Sequence, residues 1–502
     1  MINVSGIQLE TLTQSKLRSS LIIFVCISAM VFMSSVKAQD VSVKNRVLAA
    51  AQGVLDSPAI TANGETVVFL DSTGGGSTSE LYSVPVRGGT PTLLNASLVD
   101  GGEIKEFKLT PDGQQIVYRA EQLVANKVEL FIMPITGGAA TRLNSALADT
   151  QDVIKFTLSP DGRYAVYETN TSPGDLFSVE LSSGNIVNLT SGRSSAFPRI
   201  DKFEVDPSSR RVVFTTLNSG FRRNAVFSVG LDGQNLVRLS LDISGNISIF
   251  SGFLVSSDGD HVVYAVADAF SGQAIELFRA PVDGGLAPTS LTPRVTQDQS
   301  FLDLRLAPDN AFVFLRSKFL STNNTIELLR VPVFTNQPIE RLSPAFDNEF
   351  SSVDGLQLSP DGRFVVYLAD SEVSSQQSLF QVSVDGGTPI QLNQPDTGHD
   401  MAFNFAVSPD SQWVVYAEEV DKTTDQLQLF AAPITGGEIL TLSEPISDED
   451  ENDFEFVISN DSQKIVALSP NLDQLFLSEI VLGEALCVVI PTQNKKVVSF
   501  CL

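Results

Sequence analysis

The sequence predicts an all-β fold, a single β-propeller built from four-stranded antiparallel blades. Three observations predict it. One hairpin turn recurs nine times, with successive copies 47 to 52 residues apart. The same order of short apolar strands surrounds every copy. No stretch beyond the N-terminal leader shows sustained helical periodicity.

The turn is clearest in Leu358-Ser359-Pro360-Asp361-Gly362-Arg363-Phe364-Val365-Val366-Tyr367. Pro presets φ, Asp can bond its own backbone, and Gly tolerates the left-handed region. Its copies are Ala62-Asn63-Gly64, Pro111-Asp112-Gly113, Pro160-Asp161-Gly162, Pro207-Ser208-Ser209, Ser257-Asp258-Gly259, Pro308-Asp309-Asn310, Pro360-Asp361-Gly362, Pro409-Asp410-Ser411 and Asn460-Asp461-Ser462. Before each lies a first strand such as Phe107-Lys108-Leu109, and after it a second such as Gln115-Ile116-Val117-Tyr118. A polar loop of variable length leads to a third strand carrying Leu-Phe, as in Leu130-Phe131 or Leu379-Phe380. A Gly-rich turn such as Thr136-Gly137-Gly138 then precedes a short fourth strand, for example Thr141-Arg142-Leu143-Asn144.

A sheet of four short strands cannot bury both faces alone, so its neighbours must stack on it. Many second strands are apolar on both faces, as expected of a sheet held between two others. Radial stacking closes a ring and leaves no long sheet edge in water. Nine repeats give nine blades; the alternative is eight blades with one displaced terminal unit. The propeller is assigned to residues 56–490. Residues 39–55 form an N-terminal segment able to supply a ring-closing strand, and residues 487–502 a C-terminal hairpin or closing strand.

Residues 1–38 read as a signal peptide. Lys16 and Arg18 precede the apolar run Leu21–Phe32, and Val36-Lys37-Ala38 offers a cleavage site. That run falls short of the roughly 20 residues a membrane span needs, so the reading is a periplasmic or secreted protein with no stable span after cleavage. Formal net charge is −26, which repels phosphate backbones and excludes nucleic acid as a partner. A monomer with a protein partner is expected.

Export leaves two cysteines, Cys487 and Cys501. Each lies seven residues from Asn494, so a hairpin would set them opposite each other, and an oxidising compartment would allow a disulfide.

The repeat SPDG-[RQ]-x-x-V-Y, followed by Leu-Phe and then Gly-Gly-x-x-x-x-Leu, resembles the propeller repeat of the TolB-like family. It is also similar to the propellers of the prolyl oligopeptidase group. The resemblance spans residues 56–480 and speaks for the fold. TolB proper adds an N-terminal α/β domain and binds proteins in the periplasm. The oligopeptidases add a hydrolase domain with a Gly-x-Ser-x-Gly elbow. Neither addition is present, so the resemblance implies a stand-alone exported propeller.

Little in the chain points to catalysis. His261 and His399 are its two histidines, 138 positions apart, and no triad or His-based metal site is expected. Asp112, Asp161, Asp258, Asp309, Asp361, Asp410 and Asp461 are read as structural turn residues, since chemistry would not require one per blade. Asp448, Asp450, Asn452 and Asp453 begin like a calcium loop, but Asp453 stands where glycine is needed and Ser459 where glutamate should be. No cofactor is expected, with calcium at this loop as the exception to test. The expectation is therefore a non-enzymatic binding or scaffold propeller that uses variable loops at the channel mouth. The alternatives are a hydrolase or lyase that attacks an extracellular polymer with channel carboxylates, and a calcium-stabilised surface protein.

Overall fold

The computed structural model describes residues 42–50, 53–73, 79–170, 174–191, 199–217, 223–241, 247–268, 271, 273–295, 301–318, 325–344, 352–370, 377–394, 401–421, 426–447, 456–469, 474–481, 487–491 and 497–501. Every regular element among them is a β-strand.

The repeats fold as the spacing predicts. In repeat 2 the strands are Ile104–Leu109, Gln115–Ala120, Glu129–Pro134 and Thr141–Arg142, paired antiparallel in chain order. Repeats 1 to 8 share this order; the sheets of repeats 5 and 6 join through the single pair Ala274 and Phe301. Repeat 9 has three strands of its own, Phe456–Ile458, Lys464–Ser469 and Gln474–Val481, and the N-terminal strand Ser42–Ala50 lies beside the last of them. The chain divides into two compact units, one comprising residues 45–479 and the other the two termini. Within the terminal unit, Cys487–Pro491 and Val497–Cys501 pair as a hairpin.

Three devices recur, each with a sequence cause. The first is the turn. In repeat 2 the Thr110 hydroxyl donates to Asp112 Oδ1 at 2.6 Å, and the same carboxylate oxygen accepts the Gln114 N–H at 3.0 Å. The Gly113 N–H closes the turn on the Thr110 carbonyl at 2.7 Å. Ser or Thr two residues before the Asp is therefore as much a part of the turn as Pro-Asp-Gly.

The second device is an aromatic pair. The second-strand Tyr or Phe lies opposite the Phe of Leu-Phe and stacks on it. Tyr118 and Phe131 have centroids 5.5 Å apart, Tyr167 and Phe177 5.2 Å, and Tyr416 and Phe430 5.7 Å. These tyrosines are fully buried. Such pairs contribute about 0.5–1.5 kcal/mol each beyond area burial.

The third device follows the fourth strand, where a buried Leu precedes Asn, Ser or Thr. That polar side chain accepts the N–H of the third-strand Leu or its equivalent, as Asn144 does for Leu130 at 2.8 Å, Asn95 for Leu81 at 2.7 Å and Ser443 for Leu429 at 3.0 Å. The bond ties the exit of each sheet to its own third strand and satisfies a buried donor.

Apolar clusters run from sheet to sheet. Val68 and Leu70 of repeat 1 pack with Tyr118 and Phe131 of repeat 2, and Val366 and Leu368 of repeat 7 with Tyr416 of repeat 8. The last repeat packs on the first: Val466 joins Val67, Phe69, Val84 and Val86 in one cluster.

Candidate functional site

The first strands carry a bulge in most repeats, for example between Ile104 and Glu106, Val153 and Lys155, and Ile200 and Phe203. A bulge leaves carbonyls out of the ladder and re-aims side chains. Long side chains of one repeat reach these carbonyls in the next. Lys108 Nζ donates to the Phe156 carbonyl at 3.2 Å, Lys155 Nζ to that of Asp201 at 2.9 Å, and Lys202 Nζ to that of Phe253 at 3.3 Å. Arg119 on the second strand of repeat 2 likewise reaches the Val153 carbonyl at 3.1 Å.

Lys108, Lys155, Phe156, Asp201 and Lys202, with Glu106 and Glu204, line a cleft of about 660 Å³ across the first strands of repeats 2 to 4. Glu106 lies 3.1 Å from Arg119 Nε and 3.5 Å from Lys108 Nζ, and Glu204 lies 2.8 Å from Lys202 Nζ. Lys108 stands over the Phe156 ring and Lys202 over the Phe253 ring, at 5.3 and 5.0 Å from the centroids. The charge is local. At the matching positions repeat 6 has Asp303 and Arg305, whereas repeats 7 and 8 have Gly355, Gln357, Asn404 and Ala406. Carboxylates and ammonium groups thus converge on one arc of the first strands. They can exchange protons with a ligand and hydrogen-bond its hydroxyl or charged groups. Sequence reading passed over the cleft because its residues alternate with buried Phe107, Phe156 and Phe203 in ordinary-looking strands. The usable signal was a charge pair at i and i+2, as in Glu106 and Lys108 or Lys202 and Glu204.

A second cavity, of about 900 Å³, lies at the turns of repeats 3 to 5. Arg163, Arg210, Arg211 and His261 reach it, but Arg163 pairs with Glu180, Arg210 with Asp260, and Arg211 Nε with Ser228 Oγ. His261 packs edge-on against Phe334, at 5.1 Å between centroids. Its chemistry is taken up by internal pairs.

The turn aspartates do not meet at a site. Asp112, Asp161, Asp258, Asp361, Asp410 and Asp461 each accept the hydroxyl two residues before them. Asp309 follows Ala307, which has no hydroxyl to offer, and accepts the Ala311 N–H at 2.9 Å. The Thr110 hydroxyl and then the Gln114 N–H hold Asp112 below the usual carboxylate range; the Ser256 hydroxyl leads the same effect at Asp258. His399 and the acidic run Asp448, Asp450, Asn452 and Asp453 lie outside the described residues. Among the described residues no group of His, Cys, Asp or Glu is arranged to hold a metal. Cys487 and Cys501 are register partners in their hairpin.

No family model matches the chain, and no curated protein matches it by sequence. Solved structures do. Porphyromonas gingivalis dipeptidyl peptidase 4 aligns with a TM-score of 0.55 at 10% identity, over 84% of this chain and 64% of that one. A eukaryotic initiation factor aligns with a TM-score of 0.50 at 13% identity, over 79% and 90%. A putative TolB from Agrobacterium tumefaciens covers 51% of this chain and 89% of its own, at 19% identity and a TM-score of 0.31. At such identities the likeness is one of fold, and it supports a β-propeller architecture. The chain spans about half the length of the prolyl endopeptidase structures it matches, 55% and 56%.

The expectation of a non-enzymatic protein is corrected by the peptidase match. Dipeptidyl peptidase 4, an enzyme, shares the fold at a TM-score of 0.55 and 10% identity. The absence of a histidine triad or a hydrolase elbow had argued against an enzyme. A frame that also serves in a peptidase removes that argument, and the fold by itself assigns no activity.

Proposed function

We propose that this chain is an exported nine-bladed propeller that cleaves an extracellular polymer, as a hydrolase or lyase, in the cleft of repeats 2 to 4. The observation that carries the reading is the convergence of Glu106 and Glu204 with three lysines in one concave site. Paired carboxylates in unlike surroundings divide the roles of acid and base. Glu106, with Arg119 and Lys108 at its carboxylate, and Glu204, beside Lys202, are the two carboxylates that would serve as the acid–base pair.

Nine four-stranded repeats, with the last packed on the first, support the ring count. The cleft then faces the central channel, open to a chain-like ligand. Residues 1–38 supply the export signal, and Cys487 with Cys501 forms a disulfide in the compartment reached.

The test is product release from a panel of polysaccharides and peptides by the full chain, with Glu106→Gln and Glu204→Gln alongside. Losing a general acid or base lowers the rate about 10²–10⁴-fold. Absence of product from every polymer, or wild-type rates in both variants, overturns the reading.

A further inference from the structure

Lys155 differs from its neighbours in the cleft. Lys108 and Lys202 each have a glutamate within ion-pair distance. Lys155 is exposed, its ammonium bonds only the Asp201 carbonyl, and no carboxylate pairs with it among the described residues. It projects from Val153–Leu158, the middle strand of the three that form the cleft, between the Glu106 and Glu204 pairs. An ammonium has three donors, so two remain for a ligand.

We propose that Lys155 is the anion-binding subsite of the cleft, and that the polymer bound there is an acidic polysaccharide bearing carboxylate or sulfate groups. This rests on the polymer-cleaving reading above. Two observations favour a polysaccharide over an acidic peptide. Peptides add to free strand edges through main-chain bonds, but here the carbonyls of Phe156 and Asp201 already accept from Lys108 and Lys155. The cleft also sets charged hydrogen-bonding groups, Glu106, Lys108, Asp201, Lys202 and Glu204, beside Phe156 and Phe203, a mixture of donors, acceptors and ring faces that suits a hydroxyl-rich ligand. Charge selects further. A chain of net charge −26 repels polyanions over most of its surface, so an unpaired cation in a concave site focuses them there.

The experiment is affinity electrophoresis of the full chain in gels holding dextran, carboxymethyl-dextran or dextran sulfate. These share one backbone and differ in the charged group. Poly-glutamate and single-stranded DNA serve as competitors. The expected result is retardation by a charged dextran and none by neutral dextran. Retardation in carboxymethyl-dextran alone identifies a carboxylate ligand, and in dextran sulfate alone a sulfate ligand. Lys155→Gln weakens binding at least tenfold and Lys155→Arg restores it, both with unchanged melting temperature. Equal retardation by neutral dextran, equal competition by poly-glutamate or DNA, or unaltered binding by Lys155→Gln overturns the proposal. If charged dextrans bind through Lys155 and no polymer is cleaved, the cleavage reading fails and the subsite stands. If polymer is cleaved and Lys155→Gln is silent, the subsite alone fails.

Discussion

Single side chains in the turns settle local questions of charge and strain. Repeat 1 carries Asn63 where others carry Asp, and the bonds persist: Asn63 Oδ1 accepts the Thr61 hydroxyl at 2.7 Å and the Glu65 N–H at 3.1 Å. The turn therefore needs an acceptor, not a charge. Asp112 sits below its ordinary value when folded, so folding favours its ionised form. Its contribution is full above the unfolded value of about 4 and is lost as pH falls through the lower folded value. Asp112→Asn is expected to match wild type at pH 7 and to lose less stability below pH 4, read by thermal melts across pH. A steeper acid loss in the variant would contradict this account.

Four turns replace Gly with a residue that keeps positive φ: Ser209 at 55°, Asn310 at 62°, Ser411 at 61° and Ser462 at 58°. Each side chain accepts a backbone N–H of the preceding repeat's turn, as Ser411 Oγ does from Asp361 at 3.0 Å. A bond between repeats offsets the strain. Ser411→Ala keeps the strain and loses the bond, whereas Ser411→Gly loses both. Chemical denaturation should show the Ala variant less stable than the Gly variant by about 1 kcal/mol.

At the scale of the element, the Leu-Asn, Leu-Ser and Leu-Thr pairs close each sheet. Asn144 is buried, and its Oδ1 serves the Leu130 N–H. Asn144→Ala leaves that donor unpaired in the core, at a cost of about 1–3 kcal/mol. Asn144→Ser, the residue used in repeats 4, 6 and 8, should recover most of it; equal melting temperatures for Ala and Ser would refute the clamp. In the C-terminal hairpin, seven-residue symmetry about Asn494 is met by the register of Cys487 with Cys501. Thiol titration of the denatured, unreduced exported chain should find no free thiol, and two after reduction. Two free thiols before reduction would exclude the bond.

Across the whole molecule, each sheet depends on its neighbours, so stability should be cooperative around residues 45–479. The ends meet twice, through Val466 against the repeat 1 cluster and through the turns, where a methyl at Gly64 would stand 3.3 Å from Lys464 Nζ. Strand Ser42–Ala50 completes the sheet of repeat 9. Removing residues 1–50 leaves that sheet with three strands and a bare edge. The truncated chain should melt lower and in a single transition. An unchanged melting temperature would show that the strand adds nothing.

The repeat unit, its strand order and its turn chemistry were legible in the chain, because they rest on contacts within about fifty residues that recur nine times. Ser359, Asp361 and Gly362 meet one another whatever surrounds them. The cleft was not legible. Glu106, Lys155 and Glu204 each look like an ordinary polar residue between buried phenylalanines, and nothing in the spacing says that three first strands bring them to one concavity. Bulges aim those side chains and free the carbonyls that the lysines reach. By itself the sequence determined a repeat of short antiparallel strands and the hairpin turn at its centre. Which charges share a cleft, and that Lys155 alone among its lysines lacks a carboxylate partner among the described residues, only the tertiary structure decided, since both depend on packing between repeats rather than within one.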